Sequence, residues 1–77
     1  MNWTRERADG PINISDIYEG DKIAYLYTPN GGKSWVMMVS PVKDIVEMND
    51  LCIIDIAGKE HVVFTKDILA YQKKGEQ

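Results

Sequence analysis

His61 is the only histidine of this 77-residue chain and Cys52 the only cysteine, so acid–base, nucleophilic or soft-metal chemistry near neutral pH would have to start from these two. One Cys and one His cannot complete a tetrahedral zinc site. Cys52 lies inside the apolar run Leu51 to Ile54, which marks it as a buried small hydrophobe rather than a reactive thiol. His61 follows a turn and alternates with Val62, the pattern of an exposed imidazole at a strand end. Asp55 interrupts an otherwise apolar stretch, and a carboxylate there must be solvated or paired. Lys59, across the next turn, is its simplest partner, and the role expected for the pair is structural.

Two further patterns touch on ligand chemistry. Asp44, Glu47 and Asp50 fall three residues apart, but the Asp/Asn-rich loop with a central Gly that holds calcium is missing, so a solvated acidic turn is expected. Gly31-Gly32-Lys33-Ser34 has the residue order that ends a phosphate-binding loop. It stands between two strands rather than before a helix, so the helix N-terminus on which such a site depends is lacking. No cofactor, metal or catalytic residue is expected.

The elements that position these residues are short strands. Lys22 to Thr28, rich in aromatic and apolar residues, reads as the first clear strand, opened by the turn Gly20-Asp21. Pro29-Asn30-Gly31-Gly32 supplies the positive φ angles of a hairpin. Ser34 to Ser40 follows, with Trp35, Met37 and Val39 on one face and Val36 and Met38 on the other, until Pro41 interrupts the ladder. Val42 to Val46 extends it; Leu51 to Ile56, the turn Ala57-Gly58-Lys59 and His61 to Phe64 come next. Thr65-Lys66-Asp67 forms a single helical turn before a closing strand, Ile68 to Tyr71. No stripe of helical period runs through the chain. Residues 1–11 carry no period and are expected as a flexible arm, in which Trp3 folds back or meets a partner. The domain is expected over 12–72, followed by a polar tail, 73–77.

Nine Lys and Arg stand against twelve Asp and Glu, a net charge of -3. That is the wrong sign for neutralising several phosphates. The basic pairs Arg5/Arg7 and Lys73/Lys74 have acids close by in sequence, so nucleic-acid binding is disfavoured. The start, Met1-Asn2-Trp3-Thr4-Arg5-Glu6-Arg7, lacks the apolar run of a secretory leader. With neither a membrane span nor a possible intrachain disulfide, the expected location is cytoplasmic.

The stretch Gly20-Asp21-Lys22-Ile23-Ala24-Tyr25-Leu26-Tyr27, followed by a Gly turn and Trp35, resembles the opening of a Tudor-type domain. Ile54-Asp55-Ile56-Ala57-Gly58-Lys59-Glu60-His61-Val62 is similar to the stretch around that family's Ile-Asp-Tyr-Gly-Asn, and Thr65-Lys66-Asp67-Ile68-Leu69 to its closing Ser-Asp-Leu turn. The resemblance covers Gly20 to Tyr71. It implies an all-β, five-stranded SH3-like (Tudor-type) small barrel with one short helical turn before the last strand. It also implies an aromatic cage that holds a methylated Lys or Arg by cation–π attraction, with Tyr27 and Trp35 at two cage positions, facing each other across the hairpin. Ile56 occupies the third aromatic position, while Ala57 and Gly58 replace the family's Gly and Asn. A cross-strand aromatic pair is therefore expected rather than a complete cage.

The chain also resembles the plasmid-borne type II dihydrofolate reductases in length and in its Gly-Asp opening. That resemblance implies a symmetric oligomer around a pore lined by a Val-Gln-Ile-Tyr strand. Here the strand is His61-Val62-Val63-Phe64, with Val62 and Phe64 at the polar positions. The small-ligand or catalytic pore lacks its hydrogen-bonding groups, and the homo-oligomer is what remains of the resemblance.

Trp3, Tyr18, Tyr25, Tyr27, Trp35 and Tyr71 are more large rings than so small a barrel can hide, and exposed Tyr and Trp dominate binding surfaces. The expected function is a non-enzymatic protein- or peptide-interaction module. Its candidate binding residues, grouped around the first hairpin, are Tyr25, Tyr27, Asn30, Lys33, Trp35 and Asp55.

Overall fold

The computed structural model describes residues 2–29, 32 and 34–75, and in it seven strands form two antiparallel sheets. They are β1 (Arg5–Glu6), β2 (Lys22–Tyr27), β3 (Val36–Pro41), β4 (Asp44–Val46), β5 (Leu51–Ile56), β6 (Lys59–Phe64) and β7 (Ile68–Gln72). The first sheet has the order β1-β7-β2-β3 and the second β4-β5-β6. The closed barrel expected from the sequence is thus corrected to two open sheets. Pro41 has no N–H to continue the ladder with β2. The chain turns there, with Val42 N–H donating to the Asp21 carbonyl at 2.7 Å and Lys43 N–H to the Ile53 carbonyl at 2.8 Å. β4 then pairs with β5 in the second sheet.

Alternation decides which side chains face inward. Cys52 and Ile54 of β5 are buried, as is Val63 of β6 opposite Cys52, while Asp55 and Glu60 face each other on the outside. The β5–β6 hairpin turns through Ala57 and Gly58, both with positive φ (53° and 83°), which matches the right-handed strand twist. Ile23 and Tyr25 of β2, with Ile68 and Tyr71 of β7, complete the core together with Ile12, Ile14 and Ile17 of the segment before β2. Leu69 is an extra residue where β7 pairs with β2, since Ala24 opposes Ala70 and Tyr25 opposes Ile68. Such a bulge lets the strand bend across the end of the core.

The single turn Thr65–Asp67 lies where the sequence suggested. Thr65 fastens it: its N–H donates to the Asp50 carbonyl at 2.9 Å and its hydroxyl to the same oxygen at 2.9 Å. The N-terminal residues, expected as a flexible arm, are instead paired. Arg5 and Glu6 oppose Tyr71 and Ala70 of β7, and the Arg7 guanidinium donates to the Ile68 carbonyl at 2.8 Å and the Thr65 carbonyl at 2.6 Å. Trp3 is half-buried. Among the described residues, no helix is long and apolar enough to cross a membrane.

Candidate interaction surface

β2 and β3 pair in the register Tyr27 opposite Val36, Tyr25 opposite Met38 and Ile23 opposite Ser40. Directly opposed residues share a face, so Tyr27, Tyr25 and Ile23 form the inner side. Leu26, Met37, Ala24 and Val39 form the outer one. Trp35 lies just before β3, outside the paired residues, and is exposed. The residue opposite Tyr27 across the hairpin is thus Val36 rather than Trp35.

Each candidate residue then finds its place. Tyr27 meets His61 edge to face, ring centroids 5.8 Å apart and planes at 89°, and packs against the core together with Ile56. Tyr25 is a core residue, 0% exposed; burial raises its phenol pKa, and its hydroxyl lies 2.8 Å from that of Ser40. That placement removes it from any contact surface. Trp35 is 59% exposed. Asn30 and Lys33 lie outside the described residues. Asp55 is exposed on the second sheet, opposite Glu60. The nearby cation is Lys43 rather than Lys59, which opposes Ile56. Lys43 reaches Glu60 at 2.7 Å, and that hydrogen bond, then the Glu60 charge, with a smaller contribution from Asp55, raises the Lys43 pKa.

What the structure brings together is an apolar strip. Met37 is 62% exposed, and Val36 and Val39 are exposed as well. They line β3, the terminal strand of the first sheet, with exposed Trp35 just before it and half-buried Leu26 beside it on β2. Large apolar side chains left together in water are unusual for a surface with no partner. A second exposed pair, Val62 and Phe64, lies on the outer face of β6. These are the positions at which the reductase resemblance would place polar pore groups.

Among the described residues, no buried side-chain polar atom lacks a hydrogen-bond partner. Asp21 accepts from Tyr18 N–H at 2.7 Å, Lys74 N–H at 2.8 Å and the Lys73 ammonium at 2.6 Å. Burial alone would raise its pKa, but these donors and the Lys73 charge together outweigh that and lower it. Lys73 also donates to the Asp16 carbonyl at 2.7 Å and sits 4.2 Å above the Tyr18 ring. Lys73, Asp16 and Tyr18, with Arg5, Asn13, Ser15 and Tyr71, line a polar cleft of about 580 Å³. Little in the sequence announces this cluster beyond the Gly20-Asp21 turn, because Lys73 and Lys74 lie so far from Asp21 along the chain. Cys52 is fully buried, and desolvation, with a contribution from the Asp50 charge, pushes its thiol up to about 11. Among the described residues, no three His, Cys, Asp or Glu side chains are grouped to hold a metal ion.

Of the basic pairs, Arg7 donates to two carbonyls and Lys73 is ion-paired with Asp21. Comparison with protein-family models, with curated proteins and with solved structures finds no match to this chain.

Proposed function

We propose that this chain is a non-enzymatic protein- or peptide-binding module with an SH3-like fold, which takes its partner on the face carrying Leu26, Trp35, Met37 and Val39. The observation that carries the reading is that strip of large apolar side chains standing in solvent on a terminal strand. The fold reading is supported by the succession β2, β3 bending into β4, β5, β6, a single helical turn and β7; β1 is an addition to it. Fold alone does not select a ligand. A methyl-ligand cage gains no support, because Tyr27 packs on His61 and its partner across the hairpin is Val36 rather than Trp35. A lone free cysteine fits a cytoplasmic location.

Burying an exposed Val or Met side chain contributes roughly 1.5–3 kcal/mol, and Trp is the residue most enriched at binding hot spots. A strip of this composition supports affinities in the micromolar range, about -8 kcal/mol. The test is selection of extended peptides from a displayed random library on the intact protein, followed by titration of the best binder into Trp35→Ala. The expected loss is about 30-fold or more in Kd, equivalent to about 2 kcal/mol, with the melting temperature unchanged. An unchanged Kd in the folded variant would move the binding surface elsewhere.

A further inference from the structure

Each sheet has two terminal strands, and three of the four carry charge: β1 is Arg5-Glu6, β4 begins at Asp44, and β6 begins Lys59-Glu60. The fourth, β3, carries none, and its charge-free run extends from Ser34 to Val42. Terminal strands present unpaired backbone N–H and C=O groups, and proteins ordinarily guard them with charge, brevity or proline. β3 has six residues, and Pro41 at its end is its only such guard. Its exposed side chains lie on both faces, Val36 on one and Met37 and Val39 on the other, with Trp35 leading in.

We infer that the occupant of this edge is β3 of a second copy of the chain, paired antiparallel about a two-fold axis so that the two four-stranded sheets run into one. This rests on the reading of β3 as the recognition surface and names its partner. A strand that pairs with its own copy gathers like side chains around the axis, and like charges there are destabilising. β3 has none to repel. Equally, it offers no charge by which to select an acidic or a basic foreign peptide, so its complement is another charge-free apolar strand. The other largely apolar strands, β2, β5 and β7, are each already flanked on both sides. Among the described residues, β3 is the one such strand with an edge to give, and Trp35, Met37 and Val39 of both copies would pool on one face as the Met- and Trp-rich centre of the interface.

Sedimentation equilibrium on the full chain from about 1 μM to about 1 mM tests this, over the range in which interfaces of modest size dissociate. The expected result is a concentration-dependent passage from monomer to dimer. Val39→Lys and Val39→Glu should each weaken the dimer about tenfold or more, and their equimolar mixture should restore it, because opposite charges then meet across the axis. Met37→Lys, at a position 62% exposed, is the second disrupting variant should a Val39 change prevent folding, which circular dichroism reports. A wild-type monomer at every concentration, or a dimer indifferent to these charges in folded variants, overturns the inference. If the monomer still binds selected peptides in a Trp35-dependent way, the second copy is refuted and the surface stands. If no peptide is selected either, both fall.

Discussion

The carboxylate of Asp21, 2% exposed, lies 2.6 Å from the ammonium of Lys73, fifty-two residues later in the chain. This contact ties the loop before β2 to the residues after β7. Removing the charge by Asp21→Asn leaves Lys73 partly able to reach water, since its side chain is 26% exposed, and should cost about 1–3 kcal/mol. The pH dependence follows from the lowered Asp21 pKa. The unfolded chain holds its proton up to the ordinary carboxylate range near about 3.9, so the contribution is full above that value. It is lost as pH falls through the lower folded value. Thermal melts from about pH 2 to pH 7 should show this slope in the wild type and a reduced one in Asp21→Asn; parallel profiles would contradict the assignment.

Arg7 holds two carbonyls, of Ile68 and Thr65, with one guanidinium. A lysine cannot reproduce that planar two-donor geometry. Arg7→Lys should therefore destabilise nearly as much as Arg7→Ala, by about 1–3 kcal/mol, and should speed proteolysis near residues 5–9. Rescue by lysine would show that charge rather than geometry is what matters.

Tyr25 and Ser40 share a buried hydrogen bond of 2.8 Å. Tyr25→Phe leaves the Ser40 hydroxyl without that partner, a cost of about 1–3 kcal/mol. Because Tyr25 is fully buried, the same variant should bind any selected peptide with unchanged affinity at a temperature where it is folded. A change in affinity without a change in stability would place Tyr25 at the surface.

These residues also show where sequence suffices and where it does not. β5 was legible to the residue, because Leu51 to Ile54 is an unbroken apolar run and the turn Ala57-Gly58 closes the strand. The break at Pro41 and the turn Thr65–Asp67 were legible for similarly local reasons. The pairing of Tyr27 with Trp35 was not. A slip of one residue in register moves a side chain to the opposite face, and nothing local states the register across this hairpin. Tyr27 opposes Val36, and Trp35 lies beyond the paired residues. β1 was hidden because two residues carry no period, and the Asp21–Lys73 contact because its partners lie so far apart in sequence.

Cys52 is 0% exposed and its thiol is pushed up to about 11, so at neutral pH almost no thiolate exists and none is accessible. Alkylation by iodoacetamide should be negligible in the native protein and complete in denaturant. Rapid native labelling would show that β5 opens readily.

The central claim is that Trp35, Met37 and Val39 form the recognition surface. The most direct measurement is a titration of the amide and side-chain NMR spectrum of the full chain with a peptide selected for binding. Shifts should concentrate on Trp35 to Val39 and Leu26, with the cleft of Arg5, Tyr18 and Lys73 undisturbed. Shifts confined to that cleft, or to Val62 and Phe64 on β6, would contradict it.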